Sequence, residues 1–510
     1  MHSLIRTLRA ADESVTGTFD HAFAAAQNPW RHLGALAFLC LAVAVASGIV
    51  AFALYDTSVS GAYESGRRLQ DDPLLLGRLL RGLHRYAADG FMLLTALHLL
   101  REAARGHFLG VRWFSWLTGI SLAWLLWIAG ITGLWLLWDE RALYSITATA
   151  EWLQALPLAG DLLARNFLTP GAMSDRFFSL IMFVHIGVPL LLLGAVWIHV
   201  QRISQVRIWP PRALTLGSLA MLALLALCVP AESLGRADTG HVAAGVALDW
   251  FYQFVHPLAD IVFAPGAWLI AAAVTLFLAL MPMLPLQPAL PQAMARVDLG
   301  NCNGCARCAA DCPFGAVVMI PRTDGRNYPR QASVIPDLCA ACGICVGACP
   351  SSTPFRSLQD LVSGIELPGA PVAALREQLQ HRLSALTGAQ KIMLFTCRQA
   401  ADFDSLADAA TAVMPMECAA MVPPSFIEYA LRLGADGAVV AGCRESDCEF
   451  RLGDSFVLER IAGTREPRLR AAVPSERIAV AWPGRDAERV RHALSSLRER
   501  LATLPVRGRA

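Results

Sequence analysis

Six stretches of the chain are apolar for long enough to cross a bilayer, with limits near 33–54, 79–101, 114–138, 179–201, 213–231 and 266–286. The fifth is short and ends at Pro230. The sixth runs into MPMLPLQPALPQ, whose prolines cannot continue a helix, so 287–298 reads as a semi-rigid linker. Residues 1–30 read as a surface segment. MHSLIRTLRAADESV has no apolar run followed by a small-residue cleavage site, so an amphipathic stretch lying on the membrane is expected there. Past the linker the pattern changes. A Cys-rich module over 299–355 is followed by a mixed linker, 356–389, with one helical pattern, PVAALREQLQHRLSAL. From 390 to 510, KIMLF, DGAVVAG and RIAVAW read as strands, SFIEYALRLG and DAERVRHALSSLRERLATL as helices. Strands alternating with helices predict a small α/β domain.

Composition sharpens this picture. The chain is 55% hydrophobic and 16% charged, where a soluble protein carries about 25% charged residues. Much of it therefore faces lipid. A net charge of +2 implies no nucleic-acid partner. Twelve of the fourteen cysteines fall after residue 301, in tight motifs. That is cluster chemistry and implies the reducing, cytoplasmic side. Six spans then place both termini in the cytoplasm. The loops predicted to face inward carry Arg101, Arg105, Arg112, Arg202, Arg207 and Arg212 with few acids, in the sense of the positive-inside rule.

The Cys-rich module reads CNGCARCAADCP, a spacer, then CAACGICVGACP. Each run is C-x2-C-x2-C-x3-C-P, the bacterial ferredoxin spacing, in which three close thiolates hold one cluster and the fourth reaches the other. One expected [4Fe–4S] set is Cys302, Cys305, Cys308 and Cys349. The second is Cys339, Cys342, Cys345 and Cys312. Zinc would favour pairs of Cys pairs, and disulfides an oxidising compartment. Cys397, Cys418, Cys443 and Cys448 remain. Three sit beside predicted strands, and four converging thiolates suit either a [2Fe–2S] cluster or zinc.

The second span holds His84 and His98, the fourth His185 and His199, both as H-x13-H. Fourteen residues at about 100° each leave two imidazoles about 40° apart, on one face. At about 1.5 Å rise they stand about 21 Å apart along the helix. Ionisable side chains inside a membrane mark function more often than packing. Two bis-histidine haem sites follow, pairing His84 with His185 and His98 with His199. Such ligation leaves iron no open position and suits electron transfer. Gly34 and Gly48 on the first span, and Gly119 and Gly133 on the third, repeat the same spacing. Absent side chains at matched depths let a flat macrocycle approach the backbone. Arg81 and Arg101, three residues from the two histidines, would pair with propionates or anchor helix ends. Cys40 reads as a small core residue, since no C-x-x-C-H is present.

These segments carry two family resemblances. WRHLGALAFLCLAVAVASG, LLRGLHRYAADGFMLLTALHLLRE, WLTGISLAWLLWIAGITG and DRFFSLIMFVHIGVPLLLLGAVWIHV resemble the first four helices of cytochrome b from bc-type complexes, over about 28–285. The resemblance implies that His84 and His185 hold the outer haem b, and His98 and His199 the inner one. LDWFY stands where that family carries Pro-Glu-Trp-Tyr at its quinol-oxidising pocket. It implies Asp249, Trp250 and Tyr252 as quinol-site residues, with Asp249 taking a proton. His256 is a second candidate. A homodimer, as in cytochrome b complexes, is also implied. MECAAMVPPSFIEYALRLGADGAVVAGCRESDCEFRLG resembles the delta, iron–sulfur subunit of methyl-viologen-reducing hydrogenases. It implies a [2Fe–2S] cluster on the last four cysteines and a flavin-bearing partner. That family often has several cysteines in its first motif; here there is only Cys397.

The expected fold is a mostly α membrane protein with a six-helix cytochrome b-like bundle over 31–286, then a ferredoxin α+β domain and a small α/β domain. The expected function is a membrane electron-transfer subunit of the bacterial inner membrane. It would link quinone, through two b haems, two [4Fe–4S] clusters and one [2Fe–2S] cluster, to a cytoplasmic flavoprotein. The alternative is a pure conduit without quinone chemistry. Bifurcation would need a second acceptor beside the outer haem, which this chain does not supply.

Overall fold

The structure is a computed structural model and describes residues 2–156, 173–240, 245–249, 251–284, 293–356 and 361–504. The chain divides into two units: Met1–Gln201 with Val206–Gln287, and Arg202–Gln205 with Pro288–Ala510.

The first unit is helical: α1 (His2–Ala22), α2 (Leu33–Leu54), α3 (Ala62–Gln70), α4 (Leu76–Ala104), α5 (Trp113–Trp135), α6 (Glu140–Gln154), α7 (Asp175–Val200), α8 (Arg212–Cys228) and α9 (Val255–Leu280). Among the described residues, four helical stretches are long and apolar enough to cross a membrane: Pro29–Leu54, Gly110–Trp135, Asp175–Val200 and Val255–Met283. The protein is an integral membrane protein. Helix α4 has the length, at 29 residues, but carries Arg85 and Asp89 in its interior. Helix α8 is shorter, at 17 residues. Side-chain acceptors set two starts. Asp72 accepts from Gly77 N at 2.7 Å ahead of α4. Asp139 caps α6 by accepting from Ala142 N at 2.8 Å.

The last predicted span, 266–286, corresponds to the second of two helical segments that meet at a break. Helix α9 starts at Val255, and Pro257 in its first turn forfeits no helical bond. The chain kinks at Phe263, with φ 60°, just before Pro265, and then continues. Phe263, with ψ 157°, is not helical, so Pro265 stands in the first turn of the second segment, where a missing N–H costs no helical bond.

Helix α2 packs along α4, and α5 along α7, while α4 and α7 barely touch each other. Lipid gives helices no hydrophobic reason to associate, so small residues and close packing hold them. Gly82 and Ala226 show this at the α4–α8 crossing, where a Cβ on Gly82 would lie 2.6 Å from that of Ala226. Cys40 is buried in an apolar cluster with Ala37, Leu41, Phe91, Leu126 and Leu192.

The second unit contains β1 (Arg296–Val297), α10 (Arg307–Ala310), β2 (Val317–Pro321), β3 (Arg330–Val334), α11 (Ile344–Ala348), β4 (Ile365–Glu366), α12 (Val372–Ser384), β5 (Ile392–Cys397), β6 (Thr411–Met416), α13 (Pro424–Arg432), β7 (Gly437–Ala441), α14 (Gly453–Ile461), β8 (Ile478–Ala481) and α15 (Ala487–Thr503). Strands β2 and β3 form an antiparallel hairpin from Val317↔Val334 to Pro321↔Arg330. Strands β5 to β8 form a parallel sheet in the order β6-β5-β7-β8. Every residue of β5 is buried, as a central parallel strand requires.

Two segments read as linkers carry structure, apart from 287–292 and 357–360, which lie outside the described residues. Arg296 and Val297 pair with Glu366 and Ile365. Helix α12 buries Val372, Leu375, Leu379 and Leu383, a helical stripe, against β6 and α13. Strand β6 and helix α14 were not predicted. Pro415 argues against a strand, but β6 is the sheet edge, where a missing N–H costs no ladder bond.

Candidate redox centres

Each glycine of the 14-residue repeat faces one histidine. A Cβ on Gly48 would lie 2.9 Å from His84 Cε1, and one on Gly133 2.7 Å from His185 Cε1. Gly34 and Gly119 stand against His98 and His199 in the same way, at 3.4 and 3.3 Å. The glycine helices α2 and α5 thus bring their backbones onto the imidazoles of α4 and α7. Across the gap, the rings of His84 and His185 have centroids 6.1 Å apart. Two imidazole nitrogens, each about 2 Å from a shared metal, would put the rings at roughly that separation. His98 and His199 are electrostatic neighbours across the same gap.

The rings are oriented through Nδ1. His84 Nδ1 lies 2.9 Å from Ala44 O, and His185 Nδ1 2.9 Å from Ala129 O. His199 Nδ1 lies 3.0 Å from Thr118 Oγ1, which itself donates to Phe114 O. A carbonyl can only accept, so Nδ1 carries the proton in His84 and His185 and Nε2 is left as the ligating atom. His98 differs: its Nδ1 is 3.9 Å from Glu102. The four histidines fit bis-histidine haem ligation. Arg81 and Arg101 have other work. Arg81 donates to Ser233 Oγ at 2.7 Å, Gln70 Oε1 at 3.0 Å and Gly66 O at 3.1 Å. Arg101 is buried 3.4 Å from Asp12 of α1. These contacts tie α4 to its neighbouring segments.

Asp249 and Tyr252 come together; Trp250 lies outside the described residues. The Asp249 carboxylate accepts from Arg85, and from Phe251 N and Tyr252 N at 3.0 Å each. Arg85 also holds Asp89, at 3.0 Å. Arg85 and Asp89 went unnoticed in the sequence, although their i,i+4 spacing on a helix was a usable signal. Tyr252 is buried and donates to Ala88 O at 2.9 Å. His256 is buried with Nε2 2.9 Å from Thr149 Oγ1.

In the second unit, one cavity is lined by Cys302, Cys305, Cys308 and Cys349 together. Burial pushes the Cys308 thiol up to about 12, with the charges of Cys349, Cys305 and Cys302 adding to it. Cys345 is likewise raised by burial, then by Cys342, Cys312 and Cys339. The first neighbours of Cys308 and of Cys345 are those of the crossed sets. Cys308 and Cys345 sit on the short helices α10 and α11, so each motif turns its third thiol inward on one helical turn. Ala316 N donates to Cys312 Sγ at 3.2 Å, and Ser351 Oγ lies 3.0 Å from Cys349 Sγ.

Cys397 ends β5, and Cys418 and Cys443 each lie two residues past β6 and β7. All three stand at the carboxyl edge of the parallel sheet, where such sheets place their sites. Cys448 closes the group from the loop after β7. Cys397 and Cys448 each interact with both Cys418 and Cys443, and the Cys397 and Cys443 sulfurs are 3.8 Å apart. Two thiolates about 2.3 Å from one tetrahedral ion stand at about that separation. Contacts with Cys418 and then Cys443 bring the Cys397 thiol down to about 4. Gly453, which the sequence did not single out, opens α14 against this group. A Cβ there would lie 2.6 Å from Cys418 Sγ and 3.0 Å from Cys448 Sγ. Among the described residues, no three or more His, Cys, Asp or Glu side chains close on a point as a single-ion site would.

Paired histidines in a membrane helix bundle, followed by grouped thiols in a separate unit, define a membrane-integral electron-transfer protein. The family described as Cytochrome b/b6/petB matches residues 19–207. The 4Fe-4S dicluster domain matches 301–353, and the methyl-viologen-reducing hydrogenase delta subunit 392–504. Cytochrome b6 of Prochlorothrix hollandica is 32% identical over 161 residues, 31% of this chain and 72% of that one. Cytochrome b6 of Gloeobacter violaceus is 31% identical, over 28% and 66% of the two chains. Cytochrome b of Zea mays is 27% identical, over 34% of this chain and 45% of that one. A solved chain titled "Hyperthermophilic respiratory Complex III" aligns with TM-score 0.42 and 20% identity, over 49% of this chain and 74% of that one, a likeness too slight to carry inference. The chain belongs to the cytochrome b family. It is a redox subunit that joins haem b to iron–sulfur clusters.

Proposed function

We propose that this chain carries electrons between membrane quinone and a flavin-bearing oxidoreductase in the cytoplasm of a bacterium, through five centres. His84 with His185 and His98 with His199 hold two b haems. The two crossed cysteine sets hold two [4Fe–4S] clusters, and Cys397, Cys418, Cys443 and Cys448 hold one [2Fe–2S] cluster. Six helices, α2, α4, α5, α7, α8 and α9, cross the inner membrane with both termini in the cytoplasm, and the bundle pairs as a homodimer. The domains are the bundle over 31–286, the ferredoxin part over 299–355 and the sheet domain over 390–510. When bound, these groups supply one-electron transfer. The protein's own residues orient the ligands, exclude water and fix distances.

One observation carries this reading: four glycines at matched depths each stand against one of four histidines, and those histidines line the gap between α4 and α7. His98→Ala is expected to remove one of the two b haems in a pyridine haemochrome assay. Unchanged haem content would sink the pairing.

A second reading, a conduit without quinone chemistry of its own, is favoured by Asp249. Its carboxylate is held by Arg85 and two backbone N–H groups, so it is engaged as an acceptor instead of being poised for a quinol proton. A quinol analogue added to the purified protein separates the two. Reduction of either haem supports quinone exchange; no reduction of either supports the conduit.

A further inference from the structure

The second unit holds a buried charge contact that neither cluster motif requires. Asp311 precedes the ligand Cys312 and is almost fully buried. One of its carboxylate oxygens accepts from Arg460 at 2.6 Å, the other from Arg465 at 2.6 Å. Arg460, 1% exposed, also donates to Ala420 O at 2.7 Å. Ala420 lies two residues past Cys418, and the guanidinium is within electrostatic reach of Cys418 itself. One side chain therefore links the carboxylate of the residue before Cys312 to the backbone beside Cys418. The neighbouring surfaces leave no slack. A Cβ on Gly343 would lie 2.5 Å from Met421 Sδ, and Gly347 meets Ala420 O too closely to carry a side chain. These glycines flank Cys345.

We propose that the Asp311–Arg460 pair positions two redox centres against each other: the one held by Cys312, Cys339, Cys342 and Cys345, and the one held by Cys397, Cys418, Cys443 and Cys448. The pair sets the gap that an electron crosses between them. Arg460 suits this because its planar fork reaches two fixed acceptors at once, which a lysine ammonium cannot do with the same geometry. The inference rests on the cluster assignment above. Phe355, whose ring lies under both Arg432 and Arg470 at 5.7 and 5.4 Å, marks a second contact between the ferredoxin part and the sheet domain. It serves as the control.

The test uses the full purified chain, reduced with dithionite. Electron paramagnetic resonance reads the magnetic interaction between the two reduced centres, and iron and acid-labile sulfide are counted in parallel. Asp311→Asn and Arg460→Met are each expected to lose the interaction while keeping their iron. The double variant should lose no more than either single one, Arg460→Lys should recover part of it, and Phe355→Leu should leave it intact. An unchanged interaction in Asp311→Asn with full iron overturns the proposal, as does an equal loss in Phe355→Leu. If Asp311→Asn sheds iron, Arg465→Gln decides, since it removes the less buried partner of the same carboxylate. Weakened interaction there supports the proposal and unchanged interaction overturns it. A wild-type spectrum lacking a [2Fe–2S] signal instead overturns the assignment beneath it, whatever the variants show.

Discussion

The two units hold their redox ligands by opposite means. In the first, the ligands ride on long helices, and their spacing follows from helix geometry: 14 residues separate His84 from His98 and His185 from His199. In the second, the ligands sit on loops, short turns and strand ends, and their positions depend on which segments fold together. A helix carries its period through the sequence, so a membrane site is legible over long range. A loop site is legible only when its ligands are adjacent in the chain. The C-x2-C-x2-C-x3-C runs meet that condition. Cys397, Cys418, Cys443 and Cys448 do not.

The largest effect is expected at the glycines of the first unit. Gly133→Leu places a side chain where a Cβ already lies 2.7 Å from His185 Cε1. It should remove one of the two haems by pyridine haemochrome assay, whereas Gly187→Ala, with nothing within 4 Å of its Cβ, should keep both. Equal haem content in the two variants would mean that helix packing, not cofactor room, selects these glycines.

A smaller effect belongs to the loop site. Gly453→Val drives a Cβ to within 2.6 Å of Cys418 Sγ, and overpacking of this kind costs about 1–3 kcal/mol. Iron from the last centre alone should fall, with the [4Fe–4S] signals retained. Loss of all iron would show that the second unit does not separate its sites as the first does.

The smallest effect tunes a ligand without removing it. Thr118→Ala deletes the acceptor 3.0 Å from His199 Nδ1. Such an acceptor raises imidazole basicity and favours oxidised iron. A hydrogen bond worth about 1 kcal/mol should raise one haem potential by about 40 mV. Redox titration followed by optical spectroscopy would show one wave move and the other stay.

Much of the first unit was open to sequence reading because apolar length and histidine spacing are both local properties of a helix. The ends were less so. The helical segment over 255–262 was missed because His256, Pro257 and Asp260 interrupt the apolar pattern ahead of the break at Phe263. Strand β6 was missed because Pro415 is tolerated only at an edge, and edge position is a fact of sheet order.

Membrane character, the four paired histidines with their glycines, and the eight cysteines of the tandem motif were all legible in the sequence. Each depends on a period or spacing written along one segment. Only the tertiary structure decided that segments read as linkers contribute β1, β4 and α12, that Arg85 holds both Asp89 and Asp249, and that Arg460 and Asp311 meet although 149 residues apart. Such contacts join residues distant in the chain, and nothing in local propensity encodes which distant partner a buried charge will find.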